Sequence, residues 1–130
     1  MKKILKKITI FISFLFIVAI GLTFYLSRGT DSYKSIHITD VNMNALSDGI
    51  YTGHYSEGRW KNTVEVTINN GQIKAIRPIQ RVVFEKKEVS NIVFERVIKE
   101  QKISVDTISG ATITSKAYLK SIENALNEKK

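Results

Sequence analysis

The chain has 130 residues, 43% of them hydrophobic, with a formal net charge of +8 and no cysteine. This length allows one small domain, and the lack of cysteine excludes disulfides, thiolate-bound iron–sulfur clusters and cysteine nucleophiles. Four lysines lie within the first seven residues and the other basic residues are spread among acids, so the basic stripe typical of nucleic-acid binding is missing. His37 and His54 do not share a metal-ligand spacing, and no metal site is predicted.

Residues 8–26 form an apolar run of nineteen residues without a charge. As a helix this run would span about 28 Å, close to the roughly 30 Å hydrocarbon core of a bilayer. Because the lysines precede it, the positive-inside rule predicts a cytoplasmic N-terminus and an extracytoplasmic C-terminal domain. We therefore interpret residues 1–27 as a cytoplasmic basic start and a single-pass transmembrane signal anchor in the cell membrane. A cleaved signal peptide is the alternative, although the run is longer than a typical signal core and no Ala-x-Ala-like site follows it.

Residues 28–47 are polar and irregular and are predicted to form a juxtamembrane tether. Within them, Ile36, Ile38 and Val41 are spaced so that they could form a short strand that docks on the domain. A mobile linker is the alternative interpretation of the same residues.

The next segment carries the pattern of an antiparallel meander. Residues 50–56 are predicted to pair with residues 63–69 across a turn at 57–62. The Asn-Asn-Gly sequence at 69–71 indicates a tight hairpin, from which residues 72–80 return as a third strand. The side chains predicted to point inward are those of Val64, Val66, Ile68, Ile73, Ala75 and Ile79.

Two helices are predicted after the sheet. Residues 86–102 place Val89, Val93 and Val97 at a spacing of four, although their β-branched side chains leave a strand possible. Residues 114–128 show a clearer amphipathic pattern. The apolar stripe of this second helix consists of Tyr118, Leu119, Ile122, Ala125 and Leu126. Two helices on one face of a meander predict an α+β fold, preceded here by the transmembrane helix.

The residues before the last helix suggest a binding site. In Ser109-Gly110-Ala111-Thr112, the glycine permits unusual backbone conformations and the alanine adds little bulk, so a large group could approach the Thr112 hydroxyl. A helix that begins here would direct free N–H groups and its dipole at the same point, which favours a phosphate. The alternative is that Thr112 or Thr114 is an ordinary helix N-cap after a glycine turn.

Three segments together resemble a known family. Asp106-x-x-Ser109-Gly110-Ala111-Thr112 is similar to the flavinylation motif of FMN-binding domains. Such domains occur in the C subunit of sodium-pumping NADH:quinone reductase, in the G subunit of the Rnf complex and in small membrane-anchored flavoproteins. The segments Asp48–Gly53 and Val66–Ile73 resemble the family's opening motif and its second hairpin. The resemblance covers roughly residues 48–126 and identifies residues 48–130 as an FMN-binding domain.

The resemblance implies a covalently bound cofactor. In this family a flavin transferase takes FMN from FAD and joins its phosphate to a threonine hydroxyl, which corresponds to Thr112 here, with Thr114 as the rival acceptor. The residues implied to form the element that the transferase reads are Asp106, Ser109, Gly110 and Ala111. Thr114 and Ser115 are predicted to bind the phosphate by hydrogen bonds. Tyr51 and Gly53 of the opening motif are also predicted at the cofactor site.

The function implied is electron relay rather than stand-alone catalysis, so no catalytic residue is assigned. Redox proteins or quinone-linked partners would supply and accept the electrons, the cytoplasmic membrane would hold the protein, and no nucleic acid would be involved. One alternative is a non-redox cell-surface binding or accessory domain, in which Ser-Gly-Ala-Thr is only a helix cap. Another is non-covalent flavin binding. Trp60 and Arg59 are interpreted as local packing and a solvated turn.

Overall fold

The computed structural model describes residues 1–28 and 31–127. An N-terminal helix is followed by a three-stranded antiparallel sheet and two further helices, which gives the predicted α+β fold. The regular elements are α1 (Lys2–Ser27), β1 (Gly49–Tyr55), β2 (Asn62–Asn69), β3 (Gln72–Gln80), α2 (Lys87–Glu100) and α3 (Thr112–Asn127).

Helix α1 is long and apolar enough to cross a membrane, with a mean hydropathy of 2.4 over its best window and no buried residue in that window. Its threonines satisfy their hydroxyls within the helix: Thr9 donates to the Leu5 carbonyl at 3.0 Å and Thr23 to the Ala19 carbonyl at 2.9 Å. Such bonds let a polar side chain sit in an apolar helix. The predicted N-terminal helix is therefore present and is long enough to span a membrane. Its insertion in a membrane and its orientation stay predictions.

The sheet has the order β1-β2-β3, with both pairs antiparallel as predicted. Strand β2 is central and its alternate residues Val64, Val66 and Ile68 are almost fully buried, which confirms the period-two pattern. A short 3-10 turn at Gly58–Trp60 joins β1 to β2. The hairpin turn between β2 and β3 contains Asn70 and Gly71 with φ of 52° and 68°, as a tight turn requires.

After the second residue of β3, the side chains that point inward differ from those predicted. Ile73 is buried opposite Ile68, but Ala75 is exposed and Ile79 is 53% exposed. The pairing register shifts between Thr67 and Ile68, which leaves Lys74 as an extra residue. Because an extra residue reverses the alternation of the side chains, the predictions for Ala75 and Ile79 are wrong, and Ile76 packs against the core instead.

Helix α3 packs across the sheet, and all five residues of its predicted apolar stripe are buried. Gly53 of β1 makes this close approach possible. A Cβ atom at position 53 would lie 2.2 Å from both the Ala125 nitrogen and the Ser121 carbonyl oxygen. No side chain fits there. The helix begins two residues earlier than predicted, at Thr112.

Helix α2 lies beside α3 and β3, so the helical interpretation of this segment is confirmed. Val93 and Val97 are fully buried, and Phe94 meets the Tyr118 ring edge-on with centroids 5.2 Å apart. After the helix, the Gln101 side chain accepts from the Ile73 amide at 2.8 Å and donates to the Ile73 carbonyl at 2.9 Å. This pair of hydrogen bonds ties the end of α2 to the sheet.

The segment before the sheet packs on the domain without forming the predicted strand. Ile36 and Met43 are buried, and no strand is assigned between them. The Asp40 carboxylate accepts hydrogen bonds from the Ile103 amide at 2.6 Å and from the Ser104 amide at 2.8 Å. Burial raises the pKa of Asp40, but hydrogen bonds from the Ser104 hydroxyl and these amides outweigh it, so the pKa lies below its usual value. The strand prediction for residues 36–41 is wrong, and the domain boundary at residue 48 stays a prediction.

Candidate functional site

The candidate site begins with the loop that joins α2 to α3. Ile103 and Val105 are buried and hold the first part of this loop against the core. Further on, Arg96 of α2 donates from Nη1 to the Asp106 carbonyl at 2.7 Å. The loop therefore has a fixed path before it reaches the Ser-Gly-Ala-Thr sequence.

A tight turn then presents the motif. The Ala111 amide donates to the Ile108 carbonyl at 2.9 Å, and Gly110 has a φ of +76°, which glycine adopts without strain. Buried Ser115 braces the turn from inside, because its Oγ accepts from the Ile108 amide at 3.2 Å and donates to the Ala111 carbonyl at 2.9 Å. The predicted role of Ser115 toward a phosphate stays a prediction, and its hydroxyl lies inside the domain.

Neither Thr112 nor Thr114 occupies the N-cap position of helix α3. The first helical hydrogen bond runs from the Ser115 amide to the Ala111 carbonyl at 2.9 Å, so Ala111 occupies the N-cap position and Thr112 follows it. An alanine side chain has no oxygen to accept from the amides of the first turn. Those amides are open to a ligand, and the simple helix-cap interpretation of Thr112 and Thr114 is not supported by this geometry.

Thr112 itself is exposed, and its hydroxyl has no hydrogen-bond partner among residues 1–28 and 31–127. Ser109 and Gly110 are also exposed, and a Cβ atom at Gly110 would meet nothing within 4 Å. Thr114 is half-buried. Of the two threonines of the motif, Thr112 is thus the more exposed.

Two open depressions flank the motif. The first, of about 470 Å³, is lined by Arg59, Trp60 and residues 110–114. The second, of about 540 Å³, lies between the motif and the start of α2 and includes Phe84, Val89 and Ile92. The residues common to both are Arg59, Gly110, Ala111 and Thr114. Residues of the motif therefore border both depressions, either of which has space for a ligand.

Arg59 faces the motif from the β1–β2 turn. Its guanidinium carbon lies 4.4 Å from the centre of the Trp60 ring, which is a cation–π contact. Trp60 is 3% exposed, so its interpretation as packing is confirmed. The Arg59 Nε is one of two buried side-chain polar atoms without a hydrogen-bond partner in the described part of the chain. The interpretation of Arg59 as a solvated turn residue missed this position beside the motif.

Asn62 explains why the turn and the motif meet. It is 1% exposed, and its amide nitrogen donates to the Trp60 carbonyl at 3.2 Å while Ser121 of α3 donates to its Oδ1 at 2.5 Å. This bridge fixes the turn beneath α3. No local pattern in the sequence signals a contact between residues so far apart.

Other predicted site residues lie elsewhere. The Tyr51 hydroxyl donates to the Ser47 carbonyl at 2.7 Å, and Gly53 abuts Ser121 and Ala125 well along α3. Neither residue lines the two depressions beside the motif. Asp106 is exposed, and its backbone carbonyl, rather than its carboxylate, holds Arg96.

The remaining titratable groups are structural or scattered. Burial, followed by the nearby Glu85 carboxylate, raises the pKa of Tyr118. The hydroxyl oxygen of Tyr118 accepts a hydrogen bond from the Val82 amide at 3.1 Å. Tyr118 is therefore a protonated core residue. Within the described ranges, no group of three or more His, Asp or Glu side chains is placed to hold a metal ion.

Comparison with protein families supports the flavin interpretation. The family model described as FMN-binding domain matches residues 58–127, just over half of the chain. The matched region begins at the turn that carries Arg59 and ends with α3, so it contains both sides of the first depression. Neither the curated proteins nor the solved structures give a match to the chain.

Proposed function

Because the chain belongs to the FMN-binding domain family, we propose that it is a membrane-anchored flavoprotein that carries FMN through a phosphoester on Thr112 and relays electrons outside the cytoplasm. The observation that carries the proposal is the position of Thr112. Thr112 is exposed at the first position of α3, after a glycine and an alanine, and it lines the first depression.

The start of α3 suits a phosphoester. A phosphodiester carries one negative charge, which the dipole and the open amides of the first helical turn stabilise. Gly110 and Ala111 keep side-chain bulk away from the reacting hydroxyl, so a transferase could bring FAD to it. The bond that forms joins the Thr112 oxygen to the phosphorus of FMN, and AMP leaves.

Arg59 supplies the matching cation. Its guanidinium lies over Trp60 and its Nε lacks a partner in the described part of the chain, beside the depression that contains Thr112. Charge-assisted hydrogen bonds from arginine to phosphate are among the stronger ones in proteins. We therefore assign Arg59 to the phosphate or to the polar edge of the flavin.

FMN accepts and returns one or two electrons, and this chemistry belongs to the cofactor. The chain contributes the point of attachment, a binding site for the anionic phosphate, and access for redox partners. Both depressions are shallow and face solvent, which suits exchange with redox donor and acceptor proteins or quinone-linked partners. A carrier or redox subunit therefore fits this site better than a stand-alone enzyme.

The proposed location follows from α1 and its charges. The lysines before the apolar run favour a cytoplasmic N-terminus, so the domain would lie outside the cytoplasmic membrane. A covalent bond prevents loss of the cofactor by dilution there. Maturation would require a flavin transferase that reaches the same compartment.

The test is to coexpress the full chain with a flavin transferase and to examine a denaturing gel for flavin fluorescence. We expect a fluorescent band for the wild type and for Thr114→Ala, and none for Thr112→Ala. The Thr114 variant is the matched control, because it removes a second hydroxyl from the same turn.

Three outcomes would change the proposal. A label that persists in Thr112→Ala and disappears in Thr114→Ala would move the acceptor. Yellow protein that loses its flavin on denaturation would leave binding intact and exclude the covalent bond. No flavin at all, with the transferase active on a second substrate, would favour the non-redox accessory domain.

A further inference from the structure

The connection between α1 and the domain is short. Helix α1 ends at Ser27, and Ile36 is already buried against the domain, with the His37 carbonyl accepting from Lys120 Nζ at 3.3 Å. Even if it were fully extended, the chain from Ser27 to Ile36 would span only about 30 Å. Four of its residues, Ser32–Ser35, form a compact 3-10 turn. The domain therefore has to lie close to the end of α1.

A third depression shows which part of the domain lies next to the C-terminal end of α1. It has a volume of about 420 Å³ and contains Tyr25 and Arg28 from the last turn of α1 and its end. Its other walls come from the β1–β2 turn and from the start of the loop between β3 and α2. The domain residues that line it are Ser56, Glu57, Gly58, Arg59, Lys61, Gln80 and Val83.

Two exposed apolar side chains follow one another in this loop. Val83 lines the third depression and is 44% exposed, and Phe84 lines the depression between the motif and α2 and is 79% exposed, the largest exposure of any large apolar side chain of the described domain. Phe84 has a φ of +61°, an unfavourable conformation for a bulky residue. Val82, two residues earlier, is buried, and its amide donates a hydrogen bond to the Tyr118 hydroxyl. The core thus holds one side of the loop in place while the Val83–Phe84 tip points outward under strain.

Cationic side chains surround the tip. The exposed basic residues around it are Arg28, Lys61, Lys86 and Lys87. The exposed acidic residues there are Glu57 and Glu88. An apolar tip with an excess of surrounding cations matches the interface of an anionic bilayer, which attracts basic residues near its surface. An apolar patch with a charged rim commonly marks an interaction site.

We propose that the Val83–Phe84 tip enters the headgroup region of the bilayer that α1 crosses, with the surrounding cations on anionic lipid. The domain then rests on the membrane surface instead of hanging from a tether. This inference rests on the membrane anchor of the proposed function and is independent of the flavin.

Docking in this way would also orient the candidate site. Phe84 lines the same depression as Ser109, Gly110 and Thr114. The motif would then face the membrane surface. Electron partners that are bound to or dissolved in the membrane could reach the site directly.

The experiment uses site-directed spin labels in the full chain, which has no cysteine of its own. Single cysteines replace Val83, Lys74 at the opposite end of β3, or Phe14 within α1, and the proteins are placed in nanodiscs of phosphatidylcholine with a minor fraction of phosphatidylglycerol. Power-saturation measurements compare collisions with oxygen, which concentrates in the bilayer, and with a water-soluble nickel chelate.

We expect the ratio of oxygen to nickel collisions to be several-fold higher at position 83 than at position 74. Adding Phe84→Asp to the Val83→Cys chain should bring the ratio at position 83 down to that of position 74. Removing the anionic lipid should lower the ratio at position 83 in part. Equal ratios at positions 83 and 74, or no change with Phe84→Asp, would overturn the inference.

Position 14 separates the two ways of failing. A water-exposed label at position 14 would overturn the anchor and the docking together. A bilayer-embedded label at 14 with a water-exposed label at 83 would overturn the docking alone. In-gel flavin fluorescence of the same preparations reports on Thr112 independently of both.

Discussion

The two ends of helix α3 are built for different purposes. From Tyr118 onward its inner face is buried against β1 and β2, and Gly53 lets the backbones come close enough to exclude any side chain. At its start, Thr112 is exposed, and the turn before it is held by a few hydrogen bonds to Ser115. One helix thus fixes the fold at one end and presents the exposed Thr112 at the other. Substitutions at the two ends should therefore separate stability from function.

The largest expected effect is that of Gly53→Ala. The new methyl group would lie 2.2 Å from backbone atoms of Ser121 and Ala125, so α3 would have to move. We expect a loss of about 3 kcal/mol or more in the free energy of unfolding. Urea titration of the full chain in detergent, followed by the fluorescence of its one tryptophan, which is buried, measures this.

Gly110→Ala is the matched control at the other end. Its methyl group meets nothing within 4 Å, and only the φ of +76° is unfavourable, which costs about 1–2 kcal/mol. Equal losses for Gly53→Ala and Gly110→Ala would contradict the distinction between the two ends of α3.

Ser121→Ala should give the next largest effect. It removes the hydrogen bond to the Asn62 Oδ1, which is buried, and an unsatisfied buried acceptor costs about 1–3 kcal/mol. Ser109→Ala, at an exposed position of the motif, should change stability by less than about 0.5 kcal/mol. A larger loss for Ser109→Ala than for Ser121→Ala would reverse the assignment of roles.

Asp40→Asn tests whether the segment before the sheet belongs to the folded unit. Losing the charged acceptor for Ile103 and Ser104 should cost about 1 kcal/mol near neutral pH. The folded pKa of Asp40 lies below its usual 3.8. Its stabilising effect is therefore present above about pH 4 and is lost as the pH falls through the folded pKa. The difference between wild type and Asp40→Asn should shrink on acidification.

Asp106→Asn is the control for this carboxylate, since the Asp106 side chain makes no hydrogen bond in the described part of the chain. Its free energy of unfolding near neutral pH should lie within about 0.5 kcal/mol of that of the wild type. A pH-independent difference for Asp40→Asn would show that hydrogen bonding to its carboxylate is not what holds the segment.

Arg59→Gln should have a small effect on stability, within about 1 kcal/mol for the lost contact with Trp60. Its effect on the site should be larger, with several-fold slower covalent flavin incorporation, because the matching cation is gone. Arg59→Lys keeps the charge and should retain most of the rate. Equal rates for wild type and Arg59→Gln would remove Arg59 from the site.

Much of this fold could be predicted from local signals. The alternation of Val64, Val66 and Ile68, the Asn-Asn-Gly turn and the stripe of α3 each reflect a burial pattern that one segment carries by itself. The extra residue at Lys74 in β3 has no such signal, so the predictions for Ala75 and Ile79 failed.

The site was predictable only in part. The residue types of Ser109 to Thr112 suggested that a ligand could approach, and their resemblance to the flavinylation motif of FMN-binding domains identified them as the motif. The contribution of Arg59 depends on the Asn62–Ser121 bridge, which joins residues 59 positions apart, and no periodicity encodes such a contact. Likewise, Gly53 was assigned to the cofactor, whereas its contacts are with α3.

The central claim is the attachment of FMN to Thr112, and mass spectrometry tests it most directly. The full chain, coexpressed with a flavin transferase, should gain the mass of one FMN less one water. Trypsin releases residues 103–116 as one peptide, and its fragment ions should place the added mass on Thr112, with none in Thr112→Ala and a full increment in Thr114→Ala. An unmodified peptide, while a control substrate is flavinylated in the same cells, would contradict the account.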